Sequence, residues 1–394
     1  MWHLDRGIDS DDPQGVGRHL GMNKILKKQT AVIFIFLVVY GMLPVNSNEN
    51  DQNKISWAEL PPLPNELGVA GPFVGVHRER LIVAGGANFP EPVWENQKQW
   101  LDDVYALKRE GSEYNWSTIG KLPRRIAYGC SISVEDGVLC IGGCDASAHF
   151  SDVFLMRIST DGDRLETIPY PSLPVKSAYG AAAILDNVVY VMGGQVNSKL
   201  ESATQSVWSL DLKQSDRPED LQWKQLRDFP AANRAFHLLV ASEDSQGGSM
   251  FLVSGRRKSS AGEVEFLRDV WRYTPRSEQW TRRSDMPACC MAGTGLALGN
   301  DELLIVGGAD GSLFDQADVL KDQHPGFPKQ LYSYDCEGDR WTGIGGLPAN
   351  HVTTVAVQWQ DSIVIPTGEI RPRVRTPAVL RGFRTPVKEA GALR

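Results

Sequence analysis

The sequence predicts an all-β fold, a single β-propeller of six blades, and three observations carry that prediction. Six short apolar strands end in glycine. They recur at about 50–60 residues, a spacing that belongs to blade repeats rather than to separate domains. A tryptophan strand and an apolar-Pro pair close most of the units.

Taken in chain order, the first 47 residues read as a leader. Lys24, Lys27 and Lys28 precede an apolar run over 31–43 (AVIFIFLVVYGML), and Val45-Asn46-Ser47 offers a cleavage site. A charged lead, a run of this length and small residues before a cut define a secretory signal. The polar stretch before Met22 is long for such a signal, so Met22 is the expected start and Ser47 the expected end. The protein is then periplasmic or secreted, with no membrane contact after cleavage. The alternative is a retained anchor over 31–43, although a spanning helix needs about 20 apolar residues.

The propeller is expected over 48–383, with a basic tail over 384–394. Its glycine-ended strands are 81–86 (LIVAGG), 138–143 (VLCIGG), 188–194 (VVYVMGG), 250–255 (MFLVSG), 303–308 (LLIVGG) and 362–368 (SIVIPTG). Kelch-type propellers have repeats of this length. Outer strands follow at Val104, Val153, Val207, Val270 and Leu331, and tryptophan strands at Trp116, Trp223, Trp280 and Trp341. The closing pairs are Leu122-Pro123, Leu173-Pro174, Phe229-Pro230, Met286-Pro287 and Leu347-Pro348. The sixth unit has no tryptophan strand of its own. Residues 55–60 (ISWAEL), followed by Leu63-Pro64, supply it, so the N-terminal strand closes the last blade. Such closure removes exposed sheet edges.

Alternation of strand direction fixes which loops share a face. The starts of the inner strands and the segments after the glycines meet at one axial mouth. Long loops on that face make it the place for a site. The segment after Gly368 stands out: Glu369, Arg371, Arg373 and Arg375 lie in one loop stiffened by Pro372. A carboxylate beside an apolar mouth suits proton transfer. A guanidinium on the same rim suits a substrate carboxylate. Together they point to an acidic, hydroxylated small molecule such as a sugar acid. Arg125, Arg234 and His237 also have a structural reading, as supports between blades. Tyr128, Tyr179 and Phe236 read as packing, and Asp310 as a cap of its own turn.

A net charge of −7 gives no basic footprint for nucleic acid. The six cysteines, at 130, 140, 144, 289, 290 and 336, show no metal-ligand spacing and read mainly as buried small residues. Cys130 and Cys140 are expected on adjacent strands.

Three stretches carry a family resemblance: 68–75 (GVAGPFVG), 82–90 (IVAGGANFP) with Trp94-Glu95-Asn96, and 368–376 (GEIRPRVRT). Together they resemble the kelch-type N-acetylneuraminate epimerases, or sialic acid mutarotases. In that family the Gly-Glu…Arg-Thr segment comes before the Gly-Val-Ala-Gly segment; here it comes last, as in the cyclically permuted branch. The resemblance implies an exported enzyme that interconverts α- and β-anomers of N-acetylneuraminate or a related acidic sugar, with no metal or organic cofactor. It implies Glu369 and Arg375 as catalytic residues, Glu369 as acid/base and Arg375 as clamp for the substrate carboxylate. Arg371, Asn88, Arg125, Arg234 and Asn350 are the substrate-positioning candidates. The alternative is a non-catalytic kelch propeller that binds a glycan or a protein. A copper-radical sugar oxidase would need a Tyr/His ligand set that the chain does not show.

Overall fold

The computed structural model describes residues 55–162, 164–244 and 247–384. The expected leader with its start at Met22, and the tail beyond Arg384, lie outside these residues. The described chain forms six four-stranded antiparallel sheets arranged as propeller blades. Blade 1 holds Phe73–His77, Arg80–Ala84, Asp103–Glu110 and Glu113–Lys121 in that order, and blades 2 to 5 repeat the meander. Blade 6 is composite. Val357–Trp359, Ser362–Pro366 and Val379–Arg384 are joined by Ile55–Leu60, in register from Ile55 opposite Arg384 to Leu60 opposite Val379. Its inner strand is only three residues long. Ahead of it Thr353 is left-handed, and of residues 352–356 only Val352 has a ladder partner, Glu369.

The sequence period follows from packing between blades rather than within them. The apolar residue of each closing pair is buried, from Phe229 and Met286 at 1% exposure to Leu122 and Leu347 at 4%. Each wedges into a core shared by two neighbouring sheets, as Leu122 does between blades 1 and 2. Burying one such side chain stabilises by about 1.5–3 kcal/mol. The tryptophans stitch blades together through their indole N–H groups: Trp116 donates to the Pro61 carbonyl at 2.8 Å, Trp223 to Pro171 at 2.8 Å and Trp341 to Ser284 at 2.9 Å. All six cysteines are buried and unbridged. Cys130 and Cys140 do lie on adjacent strands, but Cys130 faces Ile141 and Cys140 faces Ser131, so their side chains point to opposite faces of the sheet.

At the axis the inner strands begin with a feature that no residue pattern announced. Gly71, Tyr128, Tyr179, Phe236, Ala292 and Thr353, one per blade, all have φ between 55° and 66°. Each N–H donates to the carbonyl of its counterpart in the preceding blade, at 2.6 to 2.8 Å, and the last bond runs from Gly71 to Thr353. The result is a closed ring of backbone hydrogen bonds around the axis. Left-handed backbone costs a non-glycine residue about 1–2 kcal/mol, and the ring offsets it by satisfying backbone groups that the strands leave unpaired. Beyond the ring, an axial cavity of about 170 Å³ runs along the inner strands.

Two histidines tie stability to pH. His237 donates through Nε2 to the Met192 carbonyl at 3.1 Å, and His351 through Nδ1 to the Thr367 carbonyl at 2.7 Å. Burial pushes His237 down to about 3 and His351 down to about 4. An unfolded chain takes up protons on both near the ordinary value of about 6.5. Between about pH 6.5 and 4 the unfolded state therefore binds more protons, and stability falls as acid is added. Each histidine contributes up to about 1.4 kcal/mol per pH unit. Denaturant melts at pH 7, 5.5 and 4.5 should show this slope, and His351→Gln should make it shallower. An unchanged slope would show that these rings do not control it.

Candidate active site

The six isolated bridges that join inner-strand starts to the segments after the glycines mark the axial mouth. They pair Ala70 with Ala87, Ala127 with Cys144, Ala178 with Gln195, Ala235 with Arg256, Met291 with Ala309 and Val352 with Glu369. The second members form a rim: Ala87, Cys144, Gln195, Arg256, Ala309 and Glu369. The expected gathering of these loops on one face is therefore what the chain does. In the neighbouring blades the rim positions on either side of Glu369 are alanines, Ala309 and Ala87.

Glu369 begins the hairpin Glu369–Arg371 with Val374–Arg375. Pro372 and left-handed Arg373, φ 66°, turn it, the combination of a fixed φ followed by a positive one that a type II turn uses. The turn aims the Arg373 backbone N–H at Glu369 Oε1, 2.8 Å away. Arg375 Nη1 reaches the same oxygen at 3.1 Å, with side-chain exposures of 2% and 5% for the pair. Thr353 Oγ1, from the backbone ring, donates to Oε2 at 3.4 Å. The carboxylate is thus held on one oxygen by two firm donors and on the other by one long contact. The hairpin is itself fixed by the N-terminal segment. Thr367 Oγ1 donates to the Val69 carbonyl and accepts from the Val69 N–H, and Gly368 N–H donates to the same carbonyl. A side chain at Gly68 would meet the Thr376 carbonyl at 2.1 Å, so only glycine permits this approach.

Aromatic faces wall the guanidinium groups. Arg375 lies 4.8 Å from the Phe89 ring, and Arg373 lies 5.2 Å from Phe89 and 4.9 Å from Trp94. Arg375 also donates through Nε to the Ala87 carbonyl at 3.3 Å. Two of its three nitrogens are therefore engaged by the protein. Arg371 is turned outward to Asp322, at 3.1 Å, and Trp94 donates to the same carboxylate at 3.3 Å. These contacts dock the segment 309–328, with its short helical turn Ala317–Leu320, onto the Glu369 hairpin. The sequence reading expected essentially no helix, and this turn lies in one of the long loops.

The ring aromatics form the other half of the mouth's floor. Tyr128 and Tyr179 lie 5.0 Å apart and Tyr179 and Phe236 stack at 4.6 Å. Gly71, Ala292 and Thr353 make the half nearest Glu369. Neither Glu369 nor Arg375 lines the axial cavity below; both sit on the loop side of the ring.

The other positioning candidates are placed elsewhere. Arg234 is wholly buried in a two-pronged pair with Asp269, at 2.8 and 2.7 Å. Asn350 donates to the Pro328 carbonyl and to the Gly308 carbonyl. Asn88, one residue past Ala87, donates to the Gly68 carbonyl at 3.1 Å and braces the segment that holds the hairpin. Arg125 is exposed. Asp310 caps its own turn through the Ser312 N–H at 3.0 Å. Arg256 falls on this face in the sequence but is not among the site candidates named there, although aligning the blades at their glycines sets it level with Glu369. Among the described residues, no group of three or more His, Cys, Asp or Glu is placed to hold a metal ion. No helix among them is long and apolar enough to cross a membrane.

Comparison with known proteins agrees with this architecture. The family model for N-acetylneuraminate epimerase matches residues 43–167 and 170–324. The N-acetylneuraminate epimerase of Haemophilus influenzae strain PittEE is 28% identical over 236 residues, which span 54% of this chain and 59% of the relative. That of Yersinia enterocolitica is 28% identical over 239 residues, spanning 54% and 57%. The chain thus matches less than two thirds of the length of these relatives. The solved structure of YjhT superposes with a TM-score of 0.61 at 15% identity, covering 84% of this chain and 98% of that one, and it shares the fold. The matched segments stop before Glu369 and Arg375. With the model matching well over half of its residues, this chain belongs to the N-acetylneuraminate epimerase family.

Proposed function

We propose that the protein is a mutarotase that interconverts the α- and β-anomers of N-acetylneuraminate or a closely related acidic sugar, and that it acts after export from the cytoplasm. The observation that carries the reading is Glu369: a buried carboxylate at the axial mouth, held by Arg375 and the Arg373 N–H, in a chain of this family. Opening a hemiketal ring requires loss of the anomeric hydroxyl proton and gain of a proton by the ring oxygen as its bond to the anomeric carbon breaks. Reclosure on the other face of the carbonyl reverses both transfers and inverts the centre. Glu369 Oε2, with only the long Thr353 contact, is the oxygen free to take and return that proton. Arg375 is engaged by Glu369 and the Ala87 carbonyl, so its contribution is to position the acid/base rather than to clamp the substrate carboxylate as the resemblance implied. The charged guanidinium groups and aromatic walls around Glu369 suit an anionic sugar with one apolar face.

The test is one-dimensional NMR of freshly dissolved N-acetylneuraminate with the protein added. Anomer equilibration should be much faster than the spontaneous rate across several pH values. Equilibration at the spontaneous rate, with the sugar still bound, would replace the enzyme reading by that of a glycan-binding propeller.

A further inference from the structure

We infer that Arg256 is the residue that receives the carboxylate of the sugar, and that it sets this site's preference for acidic over neutral ligands. The inference rests on the proposed acidic-sugar substrate, but a separate observation carries it. Arg256 occupies in blade 4 the rim position that Glu369 occupies in blade 6. It is only 7% exposed. Its Nε is enclosed with no hydrogen-bond partner. Arg234 and Arg375 are paired with Asp269 and Glu369, whereas Arg256 has no carboxylate partner among the described residues.

Its guanidinium instead lies 4.3 Å from the centre of the Phe236 ring and 5.2 Å from that of Phe314. Ring faces attract a cation, but they accept none of its in-plane N–H groups. A buried guanidinium without an anion is an arrangement that calls for an explanation, because burial of an unpaired charge is costly. A bound carboxylate supplies one, since it accepts two parallel N–H bonds from the guanidinium fork.

Position supports the same assignment. The field of Glu369 reaches Arg256, and so does that of Tyr179. Burial pushes the guanidinium down to about 10, which leaves it cationic at neutral pH. Between the rim positions of Arg256 and Glu369 stands only Ala309, whose side chain is a methyl group. In a 2-keto sugar acid the carboxylate is bonded to the anomeric carbon itself. The group that holds it must therefore face the acid/base across the reacting centre, as Arg256 does from two blades away. The register of the hairpin Arg256–Lys258 with Val264–Phe266 fixes the arginine from behind, and Phe266 packs edge-on against Phe314 at 5.3 Å.

The experiment compares binding of N-acetylneuraminate and its uncharged methyl ester, by calorimetry, to wild type, Arg256→Met, Arg256→Lys and Glu369→Gln. Wild type should bind the acid about 10- to 100-fold more tightly than the ester. Arg256→Met should bring that ratio close to one while ester affinity holds, and Arg256→Lys should restore part of it. Glu369→Gln should keep the wild-type ratio. Arg256→Met should melt no lower than wild type, since it removes an unpaired buried charge. If it does not fold, the lysine variant, with its point charge in place of a fork, must still lower the ratio. A wild-type ratio near one, or an unchanged ratio in the Arg256 variants, overturns the assignment. A protein that shows the ratio without accelerating anomer exchange would sink the mutarotase reading and leave Arg256 in place.

Discussion

Glu369→Gln should lower the catalysed rate of anomer exchange by ~10²–10⁴-fold, the usual contribution of a positioned acid/base. The amide has nearly the size of the carboxylate, and its oxygen can still accept from Arg375 Nη1 and the Arg373 N–H, which now bond Oε1 at 3.1 and 2.8 Å. The hairpin should therefore keep its shape. What the amide cannot do is take the anomeric proton and return it. The loss should fall on kcat with little change in KM, the pattern expected when an interaction of the transition state alone is removed. Exchange spectroscopy between the anomeric signals at equilibrium measures the rate directly. A variant with undiminished exchange would move the proton transfer to another group.

Much of the architecture was legible because it repeats. Packing between blades requires one apolar residue before each Pro, and a tryptophan strand stitched to the preceding blade, at a fixed interval. Leu122, Leu173, Phe229, Met286, Leu347 and Leu63 are all buried for that reason. The closure of blade 6 by Ile55–Leu60 was legible by counting, since one tryptophan strand was missing at one end and present at the other. Glu369 and Arg375 were legible as a cluster, and the structure brings them into contact.

The ring at the axis was not legible. Tyr128, Tyr179 and Phe236 are residue types that seldom adopt positive φ, and what holds them there is a hydrogen bond to a residue one blade away. Arg256 and Arg234 show the same limit in another form. They are identical in type, both stand near inner-strand starts or their facing loops, and both are buried. Only the fold reveals that Asp269 meets one and that no carboxylate among the described residues meets the other. The segment 309–328 is held by contacts distant in sequence, Asp322 with Arg371 and Trp94 and Phe314 with Phe266.

Arg234→Ala should destabilise the propeller by about 3–5 kcal/mol, the cost of breaking a buried ion pair from one side. Arg234 has no exposed surface. Its guanidinium grips both oxygens of Asp269, and it also donates to the Ser254 carbonyl at 3.0 Å and the Ala232 carbonyl at 3.0 Å. Removing it leaves Asp269, 19% exposed, with Trp271 Nε1 as its remaining side-chain donor at 2.8 Å. Folded proteins are typically stable by only about 5–15 kcal/mol, so the loss is a large fraction of the total. Thermal melts should show a clear drop in Tm. Acid supplies a second signature. In the wild type, burial opposes ionisation of Asp269, but Arg234 outweighs it and holds the carboxyl below its ordinary range. Without Arg234 the burial is opposed only by the Trp271 donor and the charge of Arg282, and the folded chain gains affinity for a proton there. A group that binds protons more tightly when folded loses stability as pH rises. The gap between variant and wild type should therefore narrow as the pH is lowered from 7 towards 5. Adding Asp269→Leu to an Arg234→Met variant should recover much of the loss, since no unpaired charge then remains. A gap that stays constant with pH, and a double variant no better than the single, would show that Arg234 stabilises the blade through packing and not through its charge.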